Sequence, residues 1–167
     1  MIYYRAVNTA RGWVGLAGRG GRLVRSTLPQ TTKVEAVQAV LAGLGGAMRE
    51  DERAFGEAPE RMRRYFAGER VSFDDVDLCL DGYGPFHSAA LLAARRIPYG
   101  EVVTYRDLAR MAGSERAARA AGGAMARNDF PIIVPCHRVV ASGGGLGGFS
   151  SGLEWKIELL RLEGARL

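Results

Sequence analysis

The spacing of apolar residues changes near residues 81–85, and this change divides the sequence into two parts. In the first part, three apolar runs, IYYRAV, GWVGLAG and RLVRSTL, are separated by glycines and polar residues. This pattern predicts a meander of three strands. The run TTKVEAVQAVLAGLGG then predicts a helix that begins at a capping box of Thr32 and Glu35 and ends at Gly45. Its buried face is predicted to contain Val34, Val37, Val40, Leu41 and Leu44.

Two more elements complete the first part. ERMRRYFAG, with Pro59 just ahead of it, predicts a second helix. VDLCL, at Val76–Leu80, predicts another strand because it is short, apolar and β-branched at its start.

The second part is mostly helical. FHSAALLAARRI has helical spacing, and Pro85 suits its first turn. Thr104 is predicted to cap YRDLARMA, which Gly113 ends, and Ser114 to cap ERAARAAGGAMAR. Two helices joined by Gly113–Ser114 are typical of a helix-turn-helix.

The C-terminal stretch predicts short strands at IIV and RVVAS on either side of Pro135–His137, followed by the flexible loop GGGLGGFS. LEWKIELLRLEG predicts a last helix, capped by Ser151 and Glu154 and ended by Gly164. Its inward face is predicted to hold Leu153, Ile157 and Leu160.

These elements predict an α+β protein: a small three-stranded-sheet and helix domain at residues 1–80, which supports a helical, winged-helix domain at residues 81–167. The hydrophobic fraction of 47% is ordinary for a globular protein. No apolar run is long enough to span a membrane, and the start of the chain does not resemble a signal peptide. With only two cysteines, we expect a reducing, cytoplasmic setting. We also expect no membrane partner and a monomer in solution.

The chain carries a net charge of +5. Almost all of its positively charged residues are arginines, since Lys33 and Lys156 are the only lysines. A basic excess is compatible with a nucleic-acid partner but does not establish one.

The candidate chemistry lies in PIIVPCHRVV, where Cys136 precedes His137. An imidazole can take the proton of a thiol that is mostly protonated at neutral pH. Adjacent side chains in a strand point to opposite faces, so their cooperation requires a turn, which Pro135 makes plausible, or a bridging water. A buried, inert cysteine is the alternative for Cys136, and it is the interpretation that we favour for Cys79.

A catalytic histidine needs a third group to orient it, and Glu163 is one option, although a surface carboxylate is the default interpretation. The two cysteines and two histidines lack the spacing of a zinc site, so neither a metal nor a cofactor is expected.

Gly122 and Gly123 lie inside a predicted helix, where glycine costs about 1 kcal/mol relative to alanine. Two explanations stand open. The glycines allow close helix packing, or they leave a smooth face that approaches a ligand such as a DNA groove.

Taken together, IPYGEVVTY, RAARAAGGAM, Asn128, PCHRVV and the glycine loop resemble the O6-alkylguanine-DNA alkyltransferases, over about Pro98–Gly164. The resemblance implies an RNase H-like N-terminal domain. It also implies repair of double-stranded DNA that contains O6-alkylguanine. Such a protein binds the minor groove, flips the damaged base out of the helix, and transfers its alkyl group irreversibly to its own cysteine, here Cys136. It acts once, as a suicide methyltransferase.

The resemblance also implies residue roles. His137 is the base that acts on Cys136 through a water, Glu163 orients His137, Asn128 braces the turn, and Tyr105 donates a proton to the guanine. Arg119 fills the vacated place in the base stack, and the other DNA-binding residues are Ala118, Ala120, Gly122, Gly123 and Ser114. The substrate pocket comprises Met125, Pro131, Val139, Leu146, Gly147, Phe149 and Ser150.

Two departures bear on substrate breadth: Phe149 stands where many relatives have tyrosine, and Ser151 where some have glycine. Two other functions remain open from the sequence. One is a non-enzymatic winged-helix protein that recognises alkylated DNA or regulates transcription. The other is a cysteine hydrolase that uses Cys136 and His137, although adjacent residues are atypical of such a dyad.

Overall fold

The computed structural model describes residues 1–166, and the chain forms two compact units. The first comprises Met1–Leu80 and Asp129–Ile133, and the second comprises Asp81–Asn128 and the chain from Val134 onward. The predicted boundary at residue 80 does not account for residues 129–133, which belong to the first unit. That residues 1–80 and 81–167 are domains in the functional sense stays a prediction.

The first unit is built on a mixed four-stranded sheet in the order β3-β2-β1-β4. Strands β1 (Ile2–Thr9), β2 (Gly12–Arg19) and β3 (Arg22–Ser26) form the predicted antiparallel meander. The expected number of three strands is wrong, because β4 (Met48–Glu50) pairs in parallel with β1. All three β4 residues are exposed, so the segment has no apolar alternation to reveal it.

Two helices belong to this unit, α1 (Lys33–Leu41) and α2 (Ala58–Phe66). The predicted cap of α1 is present, since the Thr32 hydroxyl accepts a hydrogen bond from the amide of Glu35 at 3.1 Å. However, α1 ends before Gly45, and its predicted face is wrong at Val34, whose side chain is 65% exposed. The helix buries Ala36 and Val40 instead.

The predicted strand at Val76–Leu80 is wrong. Only an isolated bridge joins Leu78 to Leu23, with two backbone hydrogen bonds around it, so the segment remains irregular. Cys79 is buried there, as expected for a small apolar side chain.

Among the described residues, the second unit contains four α-helices and a short parallel ladder, besides two single 3₁₀ turns. In chain order the α-helices and strands are α3 (Pro85–Ala94), β5 (Val103–Thr104), α4 (Tyr105–Met111), α5 (Ala118–Ala126), β6 (Val139–Val140) and α6 (Leu153–Leu162). Strand β5 pairs with β6. Thr104 and Asp107 make a reciprocal capping box at the start of α4, which confirms the predicted cap.

Three local predictions between residues 114 and 154 are wrong. Ser114 does not cap α5: its carbonyl accepts from the amide of Ala117 in a turn, and the helix begins only at Ala118. The run IIV forms a turn rather than a strand, and Ile132 adopts a positive φ of 73°. The remaining error concerns the start of α6.

The capping box predicted for α6 is one residue out of register. Gly152, at φ 100°, is the capping residue and makes no side-chain hydrogen bond. Ser151 therefore precedes the cap position. Leu153 is exposed rather than inward-facing, while Leu160 is buried as predicted.

Candidate active site around Cys136

Cys136 begins a single 3₁₀ turn, Cys136–Arg138, in the second unit. The amide of Cys136 donates to the carbonyl of Val134 at 2.8 Å, and the amide of Arg138 donates to Pro135 at 2.9 Å. The turn expected from Pro135 is therefore present. It keeps Cys136 and His137 off a regular strand, where they would face opposite sides.

Asn128 makes hydrogen bonds at this turn. Its side-chain amide donates to the carbonyl of Val134 at 2.9 Å and also hydrogen-bonds to the thiol of Cys136. Burial raises the pKa of the Cys136 thiol, although the Asn128 hydrogen bond and the charge of Lys156 oppose that rise. The resting thiol is thus protonated at neutral pH and needs a base before it can act as a nucleophile.

His137 is fully buried, and its Nε2 lies 2.6 Å from Oε2 of Glu163. Burial lowers the pKa of His137, and the attraction of Glu163 only partly offsets this effect. The ring is consequently neutral at neutral pH, as a general base must be.

Glu163, expected by default at the surface, is buried and accepts from several donors. Arg138 reaches both of its oxygens through Nε and Nη2, at 2.8 and 3.0 Å, and the amide of Gly100 donates to Oε1 at 3.0 Å. Burial alone would raise the pKa of this carboxyl, but the hydrogen bonds from His137 and Arg138 hold it well below its usual range. Glu163 is therefore an anion in hydrogen-bond contact with His137.

Sequence reasoning missed the role of Arg138 in this arrangement. Its guanidinium also donates to the carbonyl of Ile97 at 2.7 Å and lies over the ring of Tyr99. The available signal was a third polar residue in an otherwise apolar run, directly after the Cys-His pair.

Cys136 opens onto a cavity of about 680 Å³ in the second unit. The lining combines small residues of α5, the loop after β6 and a few larger side chains. It consists of Tyr105, Ala118, Arg119, Gly122, Met125, Ala126, Cys136, Gly148, Phe149 and Ser150. A thiol at the wall of a cavity can react with a group that enters it.

Tyr105, the first residue of α4, closes one side of the cavity. Its hydroxyl donates to the carbonyl of Gly148 at 3.3 Å. A Cβ at Gly147, which has a φ of 74°, would lie 2.6 Å from the ring, so only glycine allows this close contact. Burial raises the pKa of Tyr105, so that the phenol retains its proton.

Lys156 of α6 is a further site residue that sequence reasoning missed. It is completely buried, and its ammonium donates to the carbonyls of Val139 and Gly148 at 2.7 and 3.1 Å. Burial lowers the pKa of Lys156 to about 8. The signal was its spacing, because Lys156 lies three residues before Leu159 and four before Leu160, which are both buried on one helix face.

The structure brings the five proposed catalytic residues into the second unit, together with much of the predicted DNA-binding and pocket set. Five predicted residues are not part of the cavity lining but lie close to lining residues in the sequence: Ser114, Ala120, Gly123, Leu146 and Gly147. Val139 is buried three residues after Cys136. Pro131 belongs to the first unit, and its place in a pocket stays a prediction. The individual roles of all these residues also stay predictions.

Among residues 1–166, no cluster of three or more His, Cys, Asp or Glu side chains is placed to hold a metal ion. Within the same residues, no helix has the length and apolar character needed to cross a membrane.

Comparison with known proteins places this site in a family context. Residues 85–165 match the family model described as the DNA-binding domain of 6-O-methylguanine DNA methyltransferase. A methylated-DNA–protein-cysteine methyltransferase of Mycolicibacterium paratuberculosis is 39% identical over 98% of this chain and 93% of its own length. The constitutive enzyme of that name from Bacillus subtilis is 38% identical over 98% of this chain and 96% of its own length.

Solved structures of methyltransferases are also similar to this chain. Mycobacterium tuberculosis O6-methylguanine methyltransferase superposes with a TM-score of 0.77 at 36% identity, covering 100% of this chain and 95% of the other. The M. tuberculosis protein OGT in complex with DNA gives a TM-score of 0.79 at 35% identity, covering 96% and 92%. Both structural alignments cover the mixed α+β fold of this chain. By its sequence along nearly the whole chain, this protein belongs to the methylated-DNA–protein-cysteine methyltransferase family.

Proposed function

We propose that this protein repairs double-stranded DNA by moving the alkyl group of O6-alkylguanine onto Cys136, once per molecule. The observation that carries the proposal is the placement of a protonated thiol at the cavity wall, next to a buried imidazole that an ionised carboxylate holds. The names of the relatives, and the DNA in one related structure, support the same function.

The first step is removal of the thiol proton. Because Nε2 of His137 faces Glu163, acceptance of that proton falls to Nδ1, and the resemblance to the family implies that a water relays it. The imidazolium so formed lies beside the Glu163 anion, which stabilises it.

The second step is displacement. The Cys136 sulfur forms a bond to the alkyl carbon while the bond from that carbon to guanine O6 breaks, and the electron pair of the broken bond goes to guanine. Tyr105, which holds its proton at neutral pH, donates it to the departing base. For this, its hydroxyl exchanges the Gly148 carbonyl for the guanine. The thioether product is stable, and nothing in the reaction regenerates the thiol.

DNA contact is assigned to α5. A Cβ at Gly122 would meet Tyr105 only at 3.7 Å, and one at Gly123 would meet Arg127 only at 3.9 Å. Crowding does not explain either glycine. This supports the alternative of a smooth helix face that approaches the minor groove, with Arg119 exposed at its start to fill the gap left by a flipped base.

We also infer the finer architecture from the family: an RNase H-like first part, and a winged-helix second part in which α4 and α5 form the helix-turn-helix. A cytoplasmic monomer remains the expected form of the protein.

The test is to mix the protein with a duplex oligonucleotide that contains one O6-methylguanine and to determine the intact mass and a peptide map. We expect one methyl group on Cys136 in stoichiometric yield, and none on Cys79. Repeated turnover would overturn the proposal, and binding without modification would support the non-enzymatic alternative.

Two variants sharpen this test. Cys136→Ser is expected to abolish transfer and to keep DNA affinity, because the substitution removes the nucleophile and little volume. Cys79→Ser is the matched control, since Cys79 lies in the first unit, and it is expected to transfer normally. Loss of DNA affinity in Cys136→Ser would point to a structural role for the cysteine.

A further inference from the structure

Tyr99, a half-buried residue in the segment between α3 and β5, has no role in the mechanism above. The carbon of the Arg138 guanidinium lies over its ring, 5.7 Å from the ring centroid. The hydroxyl of Tyr99 donates to the carbonyl of Leu162 at 3.3 Å. Because Leu162 directly precedes Glu163, Tyr99 contacts both of the chain segments that form the Arg138–Glu163 ion pair.

The next residue, Gly100, brings the backbone of this segment close to the end of α6. Its amide donates to Oε1 of Glu163 at 3.0 Å, and a Cβ added to it would lie 3.1 Å from the carbonyl oxygen of Glu163. Its φ is 80°, a conformation that favours glycine. These contacts limit where the ring of the neighbouring Tyr99 can lie.

Arg138 is buried, and its hydrogen bonds all leave from the edge of the guanidinium. Nε and Nη2 donate to Glu163, and Nη1 donates to the carbonyl of Ile97 at 2.7 Å. The flat face of a guanidinium donates no hydrogen bond, but the face of an aromatic ring attracts a cation within about 6 Å of its centroid. The Tyr99 ring therefore stabilises the part of Arg138 that its hydrogen bonds do not reach.

The position of Arg138 matters to His137 because both residues contact the same carboxylate oxygen. Oε2 of Glu163 lies 2.6 Å from Nε2 of His137 and 3.0 Å from Nη2 of Arg138. If Arg138 moves, Oε2 loses a donor and its direction toward the imidazole changes. A contact that fixes Arg138 consequently acts on His137 through Glu163.

We propose that Tyr99 is a positioning residue for alkyl transfer, whose ring holds the Arg138 guanidinium against Glu163 and so keeps the carboxylate aligned with His137. The proposal rests on the function proposed above, in which His137 takes the proton of Cys136. Tyr99 does not line the cavity at Cys136 and exchanges no proton. The competing explanation is that Tyr99 only fills space, in which case any ring of the same shape would serve.

The experiment observes the His137–Glu163 hydrogen bond in the DNA-free protein. NMR of protein labelled with ¹⁵N-histidine records the proton on Nε2 of His137, and His87 is the only other histidine in the chain. Tyr99→Leu removes the ring and is expected to make this proton exchange with water about tenfold faster. Tyr83→Leu is the matched control, because the ring of Tyr83 packs against His87, with 4.7 Å between the ring centroids. It is expected to leave the His137 proton unchanged.

Two variants of the same shape separate attraction for Arg138 from packing. Tyr99→Phe keeps a ring face that attracts cations, whereas Tyr99→pentafluorophenylalanine reverses the charge distribution of that face in nearly the same volume. We expect wild-type exchange in the first and fast exchange in the second. This pair decides the question if Tyr99→Leu does not fold. Equal exchange rates in the two ring variants would overturn the proposal, because packing alone does not distinguish them.

Single-turnover transfer from O6-methylguanine DNA then links the hydrogen bond to the reaction. We expect transfer to be about tenfold slower in the fluorinated variant than in Tyr99→Phe, because a misaligned base takes the thiol proton less readily. Equal transfer rates in this pair would also overturn the role of Tyr99. The two proposals fail separately, since the NMR experiment needs no DNA and wild-type transfer tests the repair function without any Tyr99 variant.

Discussion

At the scale of single residues, burial favours the uncharged form of the groups around Cys136. The thiol has its pKa raised and the imidazole of His137 has its pKa lowered by the same removal from water, so both are neutral at rest. Glu163 escapes this rule because Arg138 and His137 hydrogen-bond to its anion. A neutral acid, a neutral base and a fixed anion are together what proton removal from a thiol requires.

Arg119 is an exposed residue of the cavity lining, and we propose that its side chain takes part in base flipping. Extrusion of a base costs a few kcal/mol, and a side chain that fills the gap recovers part of it. We expect Arg119→Ala to slow transfer from duplex DNA by about tenfold, equivalent to about 1.4 kcal/mol. Transfer from the free modified base should be almost unchanged. Single-turnover rates on both substrates measure this.

Arg116→Ala is the control for Arg119, because it removes a nearby exposed arginine that does not line the cavity. We expect a smaller loss of duplex reactivity from this variant. Equal losses on duplex and free base in Arg119→Ala would contradict its role in flipping.

At the scale of elements, α5 places two glycines where the fold itself leaves room for alanine. Helix propensity argues against Gly122 and Gly123, and the space around them does not require them. A local rule broken without a structural reason is a sign of function. We infer that the two glycines of α5 allow a ligand to approach this helix face closely.

Gly123→Ala should therefore have opposite effects on stability and on DNA binding. We expect the free energy of unfolding to rise by about 0.5–1 kcal/mol, because alanine loses less conformational entropy in a helix. Duplex affinity should fall, because the added methyl group meets the DNA. Denaturant unfolding and a fluorescence binding titration measure the two effects.

Gly45→Ala is a suitable control in the first unit, since nothing lies within 4 Å of the position that an added Cβ would take and its φ is not positive. It should leave DNA affinity unchanged. If Gly123→Ala were instead destabilising, close packing would be the explanation for that glycine.

At the scale of the second unit, Glu163 joins segments that are distant in sequence. It hydrogen-bonds to Gly100 after α3 and to His137 and Arg138 in the Cys136–Arg138 turn, and it lies itself at the end of α6. Because the pKa of Glu163 is lower in the folded state than its ordinary value of 4.5, the folded protein favours its ionised form. This contribution to stability is complete above about pH 4.5 and is lost as the pH falls below it.

We expect Glu163→Gln to unfold more easily at neutral pH, by about 3–5 kcal/mol, since the substitution leaves the Arg138 cation buried without its counter-charge. The variant should also lose part of the acid sensitivity of the wild type. The difference in unfolding free energy between the two proteins, measured from neutral pH down to about pH 3, should shrink with falling pH.

Glu60→Gln provides the comparison, because Glu60 makes only an exposed pair with Arg63 and should contribute little at any pH. A difference between Glu163→Gln and wild type that stays constant with pH would show that Glu163 is not an anion with a depressed pKa in the folded protein.

The sequence by itself determined the elements whose signals are local. The three strands of the meander, the start of α3 at Pro85 and the cap of α4 at Thr104 depend on apolar spacing and on hydrogen bonds within a few residues. The Cys136–His137 pair could likewise be identified as the chemical centre, since a thiol beside an imidazole is recognisable from residue type alone.

Only the tertiary structure decided the features that depend on contacts between distant residues. The strand β4, the turn at Ile132 and the start of α6 at Gly152 follow from partners or backbone conformations that no local pattern shows. The ionisation of Cys136, His137 and Glu163 depends on burial, on hydrogen bonds among these groups and from Asn128 and Arg138, and on the charges of Arg138 and Lys156. The physical reason is that removal from water and charge–charge contact are set by position in space, which sequence spacing does not encode.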